Sequence, residues 1–256
     1  MKLLKASFLF AGVILFAASC SVKKFNSQSS PVSHEIWDGL VKKHVTVEGV
    51  VDYAGFQKDS VQFNEYIKLI SSAHPNDTNW NRNERLAYWI NAYNAFTVQV
   101  VMRNYPTEGI KEIKKGIPFV NTVWDIKFIK IEGKTYDLNN LEHGIVRPRF
   151  KEPRIHFALN CASIACPKLR NEAFTPERLD EQLTDQTRYF LSNPIKNNIG
   201  SEKSEISKIF QWYGVDFRKG DNTVRKFIDK YSDVKVTADT KISHKKYDWR
   251  LNDKLP

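Results

Sequence analysis

Apolar residues recur at helical spacing through much of this chain. Ile36, Trp37, Leu40 and Val41 share one side of a segment from His34 to His44. Phe63, Ile67 and Ile70 mark a second helix that ends before the turn-rich His74-Pro75-Asn76-Asp77. Between them, Val47 to Tyr53, interrupted by Gly49, reads as a short extended piece. The clearest helix runs from about Asn83 to Asn104, with Leu86, Trp89-Ile90, Tyr93, Phe96-Thr97 and Val100-Val101 in its apolar stripe. Asn81 caps it, Glu84 can reach back to that cap, and Tyr105-Pro106 ends it. Asn91 and Asn94 project from neighbouring points on one face, inside an apolar stretch. A buried amide left without partners costs ~1–3 kcal/mol. These two therefore either tie down backbone or line a pocket.

The second half mixes periods. Ile126 to Ile131 and Lys134 to Leu138 flank Glu132-Gly133, the pattern of a β-hairpin. Asp137 can cap a short helix through Val146 that carries Glu142 and His143 and stops at Pro148. From Arg154 the residues alternate. Ile155, Phe157 and Leu159 fall on one face of a predicted strand, and Arg154, His156, Ala158 and Asn160 on the other. Thr175-Pro176-Glu177 reads as a helix start, with Leu179, Leu183 and Phe190 as its buried stripe. Ile206, Ile209-Phe210 and Tyr213 predict another helix. Asn222 caps a last one containing Val224, Phe227-Ile228 and Tyr231, before extended pieces around Val234–Val236. Helices and short strands without regular alternation predict an α+β fold, one domain of mixed helices packed on a small sheet.

The N-terminus changes the picture of where the protein works. Lys2 and Lys5 precede an apolar run from Ala6 to Ala18, and Ala17, Ala18 and Ser19 precede Cys20. That is a signal peptide over residues 1–19, too short for a spanning helix. Its small-small-Cys ending resembles the bacterial lipoprotein signal, which implies lipidation of Cys20. Residues 20–31, rich in Ser, Lys, Asn and Gln, read as a tether, which leaves 32–256 as the domain. The expected location is the cell envelope, exported and lipid-anchored at the periplasm or outer-membrane face. The membrane is a partner through the lipid. The formal charge of +10 does not alter this: an exported protein rarely meets nucleic acid, so none is expected, and the lysines are spread as on a solvated surface.

Several phrases together resemble one family. They are Ala87-Tyr88-Trp89-Ile90-Asn91-Ala92-Tyr93-Asn94-Ala95, Leu141-Glu142-His143-Gly144-Ile145-Val146-Arg147-Pro148 and the segment from Arg154 to Pro167. Ile206-Ser207-Lys208-Ile209-Phe210-Gln211-Trp212-Tyr213 and Tyr247-Asp248-Trp249-Arg250-Leu251-Asn252 complete the set. In this order they are similar to the domain-of-unknown-function 547 family, over roughly Ile36 to Asn252. The resemblance implies no established activity. Its order of a polar helix before a His-bearing strand has a flavour of papain-like and transglutaminase-like folds, but the matching helix here carries Asn91 and Asn94 and no cysteine.

The chemistry-bearing residues concentrate between Glu142 and Cys166. Cys161 is a candidate nucleophile with His143 or His156 as its base, and Asn160, Asn91 or Glu142 as orienter or oxyanion donor. Cys161 and Cys166 are equally a disulfide candidate or two small buried residues. Neither is part of a Cys-x-x-Cys, so no structural zinc or thioredoxin-type centre is expected. Glu142 and His143 diverge by about 100° on an α-helix, which argues against a metal site shared with His156 and a cysteine. Arg147 and Arg154 either hold an anionic ligand or pair with nearby carboxylates. The aromatic set Trp89, Tyr93, Trp212, Tyr213 and Trp249 reads as core. The expectation is a polar cleft built from Asn91, Asn94, Glu142, His143, Arg147, Arg154, His156, Asn160 and Cys161. It would bind a small-molecule or peptide ligand, or serve an envelope-structural role, with no cofactor. The rival is a cysteine-dependent hydrolase or acyl-transferase acting on peptide or acyl bonds.

Overall fold

One helix organises the molecule. In the computed structural model, which describes residues 26–113, 122–218 and 223–254, Arg82–Met102 (α4) runs through the centre. Its start is the predicted one. Asn81 accepts from Glu84 N–H at 2.9 Å, and Glu84 Oε2 accepts from Asn81 N–H at 2.6 Å. From Leu86 to Val101 every residue is buried, so the helix is covered on all sides instead of presenting one stripe. Glu35–His44 (α1), Tyr53–Lys58 (α2) and Ser60–Ser71 (α3) precede α4 and pack around it. Trp37, Phe56, Phe63 and Tyr66 join them in one aromatic cluster.

Composition assigns residues 20–31 to the tether, yet Ser27 and Ser29 are docked. Ser27 Oγ donates to Glu132 Oε1 at 2.8 Å, and Ser29 Oγ donates to the carbonyl of His74 at 2.7 Å. Cys20 and the leader lie outside the described residues. No helix among the described residues is long and apolar enough to cross a membrane.

The predicted hairpin forms from Ile129–Ile131 (β1) and Lys134–Tyr136 (β2), paired antiparallel. Its turn residues Glu132 and Gly133 both take positive φ, 43° and 75°, as a two-residue hairpin turn requires. Asp137 Oδ1 accepts from Asn140 N–H at 2.6 Å and opens the next helix, as expected. That helix is a π-helix, Asn140–Val146, and it does not stop at Pro148. It runs directly into Arg147–Phe150 (α5), with Pro148 just past the junction.

The predicted strand at Arg154 to Asn160 does not exist. Pro153–Phe157 is a 3₁₀ turn, opened by Glu152 Oε1 accepting from Arg154 N–H at 3.1 Å. The alternation misleads because Ile155, His156, Phe157, Ala158, Leu159 and Asn160 are all buried, so there is no outer face. Helix Leu179–Ser192 (α6) starts after Thr175-Pro176-Glu177, not at it, and buries Leu179, Leu183 and Phe190. Ile206 closes strand Lys203–Ile206 (β3) and is not helical. Two one-turn helices follow, Ile209–Trp212 (α7) and Gly214–Phe217 (α8). Val224–Tyr231 (α9) is capped by Thr223, whose side chain accepts from Lys226 N–H; the expected cap Asn222 lies outside the described residues. The final strand is Lys241–His244 (β4), not Val234–Val236, and it pairs parallel to β3.

The fold is thus α+β in one domain, but among the described residues its sheet is two separate two-stranded pieces. The core likewise has two parts. The larger surrounds α4, and the smaller gathers Phe157, Phe190, Phe210, Phe217 and Phe227.

Candidate functional site

A cavity of about 350 Å³ opens where these two parts meet. Tyr93 and Leu159 come to it from the larger cluster, and Ile209 and Tyr247 from the smaller. Glu142, His143, His156, Cys161 and Cys166 all reach its wall. The sequence-predicted histidines and cysteines, and one carboxylate, are therefore brought together.

Glu142 and His143 lie in the π-helix and both reach the cavity wall. Arg147 N–H donates to the carbonyl of Glu142, five residues back, which widens the turn. Glu142 Oε1 then lies 3.9 Å from His143 Nδ1. Adjacent side chains diverge nearly as much on a π-helix as on an α-helix, yet both reach this wall. Even so, no group of three or more metal-ligating side chains forms among the described residues.

Glu142 is buried beneath two tyrosines. Tyr93 Oη donates to its Oε2 at 3.3 Å. Tyr213 lines the same cavity, and burial together with the Glu142 charge pushes its hydroxyl far above its usual range. Tyr213 therefore stays a donor.

Behind Tyr213 sits an ionic knot. His156 stacks on the Tyr213 ring at 4.0 Å between centroids, and its Nε2 lies 2.9 Å from Asp216 Oδ2. Arg147 Nε donates to the same oxygen at 2.7 Å. Burial pushes the Asp216 carboxyl up, but the hydrogen bonds from His156 and Arg147 outweigh it and hold the group well below the usual carboxylate range. Burial lowers His156 despite this partner, so the ring is neutral near pH 7. Arg147 Nη1 also lies 2.9 Å from Nδ1 of His143. A guanidinium only donates, so Nδ1 accepts and the neutral ring carries its hydrogen on Nε2.

The predicted amides do not line the cavity and are spent on backbone. Asn91 Nδ2 donates to the carbonyl of Phe174 at 2.8 Å, and its Oδ1 accepts from Phe174 N–H at 3.0 Å. Asn94 grips Ala158 O at 2.9 Å and Asn160 N–H at 2.8 Å in the same way. Asn160 passes the constraint on. Its side chain accepts from Ala162 N–H at 2.9 Å and donates to Pro167 O at 2.7 Å, which shapes the loop holding both cysteines. Arg154 faces elsewhere, with Glu152 at 2.8 Å and Asp180 at 2.7 Å. It pairs with carboxylates and does not reach the cavity.

Cys161 is partly exposed and Cys166 buried; both are free thiols. Cys161 Sγ lies 3.4 Å from Ser163 Oγ and 3.5 Å from Tyr247 Oη. Among the described residues it hydrogen-bonds no imidazole, because Arg147 and Asp216 hold the two rings.

The aromatic set needs correction in part. Trp89 and Tyr93 are core, Tyr93 also reaching the cavity, but Trp212, Tyr213 and Trp249 line it, joined by Trp124 and Tyr247. Trp212 and Trp249 stack at 5.8 Å and 25°, and Lys111 Nζ sits 3.9 Å over the Trp249 ring. Asp216 is not singled out from the sequence, and Tyr247 enters only within a family phrase. The exposed Trp212, next to Tyr213 in a short polar-flanked stretch, was the available signal.

No curated protein and no solved structure matches the chain. The family match is narrower than the extent implied by the resemblance: it contains Asn91 through Cys166 and stops before Tyr213, Asp216 and Trp249. Residues 78–191 match the family described as "Protein of unknown function, DUF547", and this match supports that family for the chain.

Proposed function

We propose that this protein is an exported, lipid-anchored envelope protein whose cavity binds a small organic ligand or a side chain of a peptide. The observation that carries the reading is the composition of the cavity wall. Trp212, Trp249, Tyr213 and Tyr247 supply flat apolar faces, while Glu142 and His143 supply an acceptor and a donor. A ligand pocket needs a mostly apolar lining with a few placed polar groups, in a volume of about 300–1,000 Å³. At about 350 Å³ the cavity suits a compact ligand. Such a ligand has a flat or apolar body to lie against the indoles and a hydrogen-bond donor for Glu142.

The polar network favours binding over hydrolysis. A cysteine hydrolase needs a base within reach of its thiol. Cys161 Sγ instead meets Ser163 and Tyr247, while His156 and His143 are occupied by Asp216 and Arg147.

Native mass spectrometry against short peptides, amino acids, amines and saccharides tests the reading. One class binds, and Trp212→Ala removes it without changing the melting temperature, since Trp212 is 46% exposed. Binding that survives both Trp212→Ala and Glu142→Gln, or no binding by any class, overturns it. The anchor is tested separately: Cys20→Ala releases the protein from the membrane fraction, and unchanged fractionation contradicts lipidation.

A further inference from the structure

The loop from Asn160 to Pro167 brings two sulfurs together. Asn160 clamps both of its ends, as described above. Inside it, Ala162 adopts a φ of 58°, in the left-handed region, and Cys166 N–H donates to Ser163 O at 3.0 Å. The chain thereby turns back on itself. Cys161 N–H donates to Cys166 Sγ at 2.8 Å, which sets the buried sulfur against the backbone of the residue that carries the exposed one. They differ in access. Cys161 is partly exposed on the cavity wall, whereas Cys166 is 3% exposed.

We propose that Cys161 and Cys166 form a two-electron dithiol centre that exchanges with small aliphatic disulfides entering the cavity, Cys161 attacking and Cys166 resolving. This goes beyond the ligand-binding reading and does not depend on it. Cys161, as its thiolate, attacks one sulfur of the disulfide. A mixed disulfide forms at Cys161, and the first small thiolate leaves and takes a proton. Cys166 then loses its proton and attacks Cys161 Sγ. The Cys161–Cys166 disulfide forms, and the second small thiolate leaves and takes the proton released by Cys166. The protein dithiol is oxidised, and one disulfide is reduced to two thiols.

The surroundings divide these roles. Burial pushes the Cys161 thiol up, but hydrogen bonds from Cys166, Ser163 and Tyr247 outweigh it and bring it down to about 7. Burial and the neighbouring Cys161 hold Cys166 well above the usual thiol range. Negative charge thus collects on the accessible sulfur and the proton stays on the hidden one. Tyr247, pushed up by burial and by Cys161, stays protonated and able to donate. The half-buried ammonium of Lys196, anchored on the carbonyl of Ile164, adds positive charge near both sulfurs.

Oxidised glutathione is the probe. The Cys20→Ala protein leaves Cys161 and Cys166 as the thiols of a chain with three cysteines. Incubated with the probe, alkylated and weighed intact, it loses both thiols together and releases two glutathione thiols per chain. Cys166→Ala halts at one glutathionyl group on Cys161, and Cys161→Ser stays unmodified. Two thiols that remain fully alkylatable after prolonged incubation of the folded parent overturn the proposal. So do independent adducts on both cysteines with no internal disulfide. Both readouts use the parent protein, so they hold even if a cysteine variant misfolds.

Discussion

Arg147 donates to Nδ1 of His143 across 2.9 Å, and the same guanidinium grips Asp216 at 2.7 Å. One cation thus sets the tautomer of a cavity histidine and anchors the carboxylate that holds the other. His143 consequently presents Nε2–H, a hydrogen-bond donor and not a base. Nitrogen-15 shifts of the His143 ring should show the Nε2–H tautomer. Arg147→Lys, which cannot span both partners, should shift the population toward Nδ1–H. A wild-type ring already in the Nδ1–H form contradicts the assignment.

Asn91 is a structural tie. Replacing it with leucine strands both backbone groups of Phe174 in the core, at about 1–3 kcal/mol for each. We expect Asn91→Leu to lose about 3 kcal/mol, a fall in melting temperature of about 10 °C. An unaltered urea midpoint would show that Phe174 finds other partners. Asn94→Leu should cost as much and also change the alkylation rate of Cys161, because Asn94 fixes the start of the cysteine loop.

Stability should fall as the medium is acidified below the ordinary histidine range. Burial lowers His156 in the folded state, so the unfolded chain takes up a proton that the native one refuses. The contribution is complete above the unfolded value of about 6.5 and declines as pH drops toward the folded value. His34, pushed down to about 4 by burial, and His74 add to the same slope. Urea melts between pH 7 and pH 4.5 should therefore show stability rising with pH. His156→Gln, which keeps an N–H for Asp216, should lower the slope by up to about 1.4 kcal/mol per pH unit. An identical slope in that variant refutes the assignment of His156.

What could be read without coordinates was local. The α4 cap works through Asn81 and Glu84, three residues apart, and the hairpin depends on Glu132-Gly133 alone. Both signals are complete within a few residues. The segment after Arg154 failed because its alternation was an accident of full burial, and the Glu152 cap with Pro153 favoured a turn. The site was half legible. Glu142, His143, His156 and Cys161 do meet on one cavity wall, but the long-range packing that brings them there leaves no mark in residue spacing. Asn91 and Asn94 are legible as buried polar groups that tie down backbone, whereas Asn160, read as an orienter or oxyanion donor, also holds backbone; none of the three lines the cavity. Tyr213, Asp216, Tyr247 and Trp249 arrive from more than fifty residues downstream of His156. Nothing in local pattern separates an aromatic that lines a cavity from one that fills a core.

The tryptophans offer the most direct test of the cavity as a ligand site. Of the six in the chain, Trp124, Trp212 and Trp249 line it, whereas Trp37, Trp80 and Trp89 are buried elsewhere. The measurement is the indole N–H spectrum during titration with a ligand found by mass spectrometry. The account predicts that the first three signals move together along one saturating curve while the other three hold still. Movement confined to the core indoles, or saturating binding with all six unmoved, would contradict it.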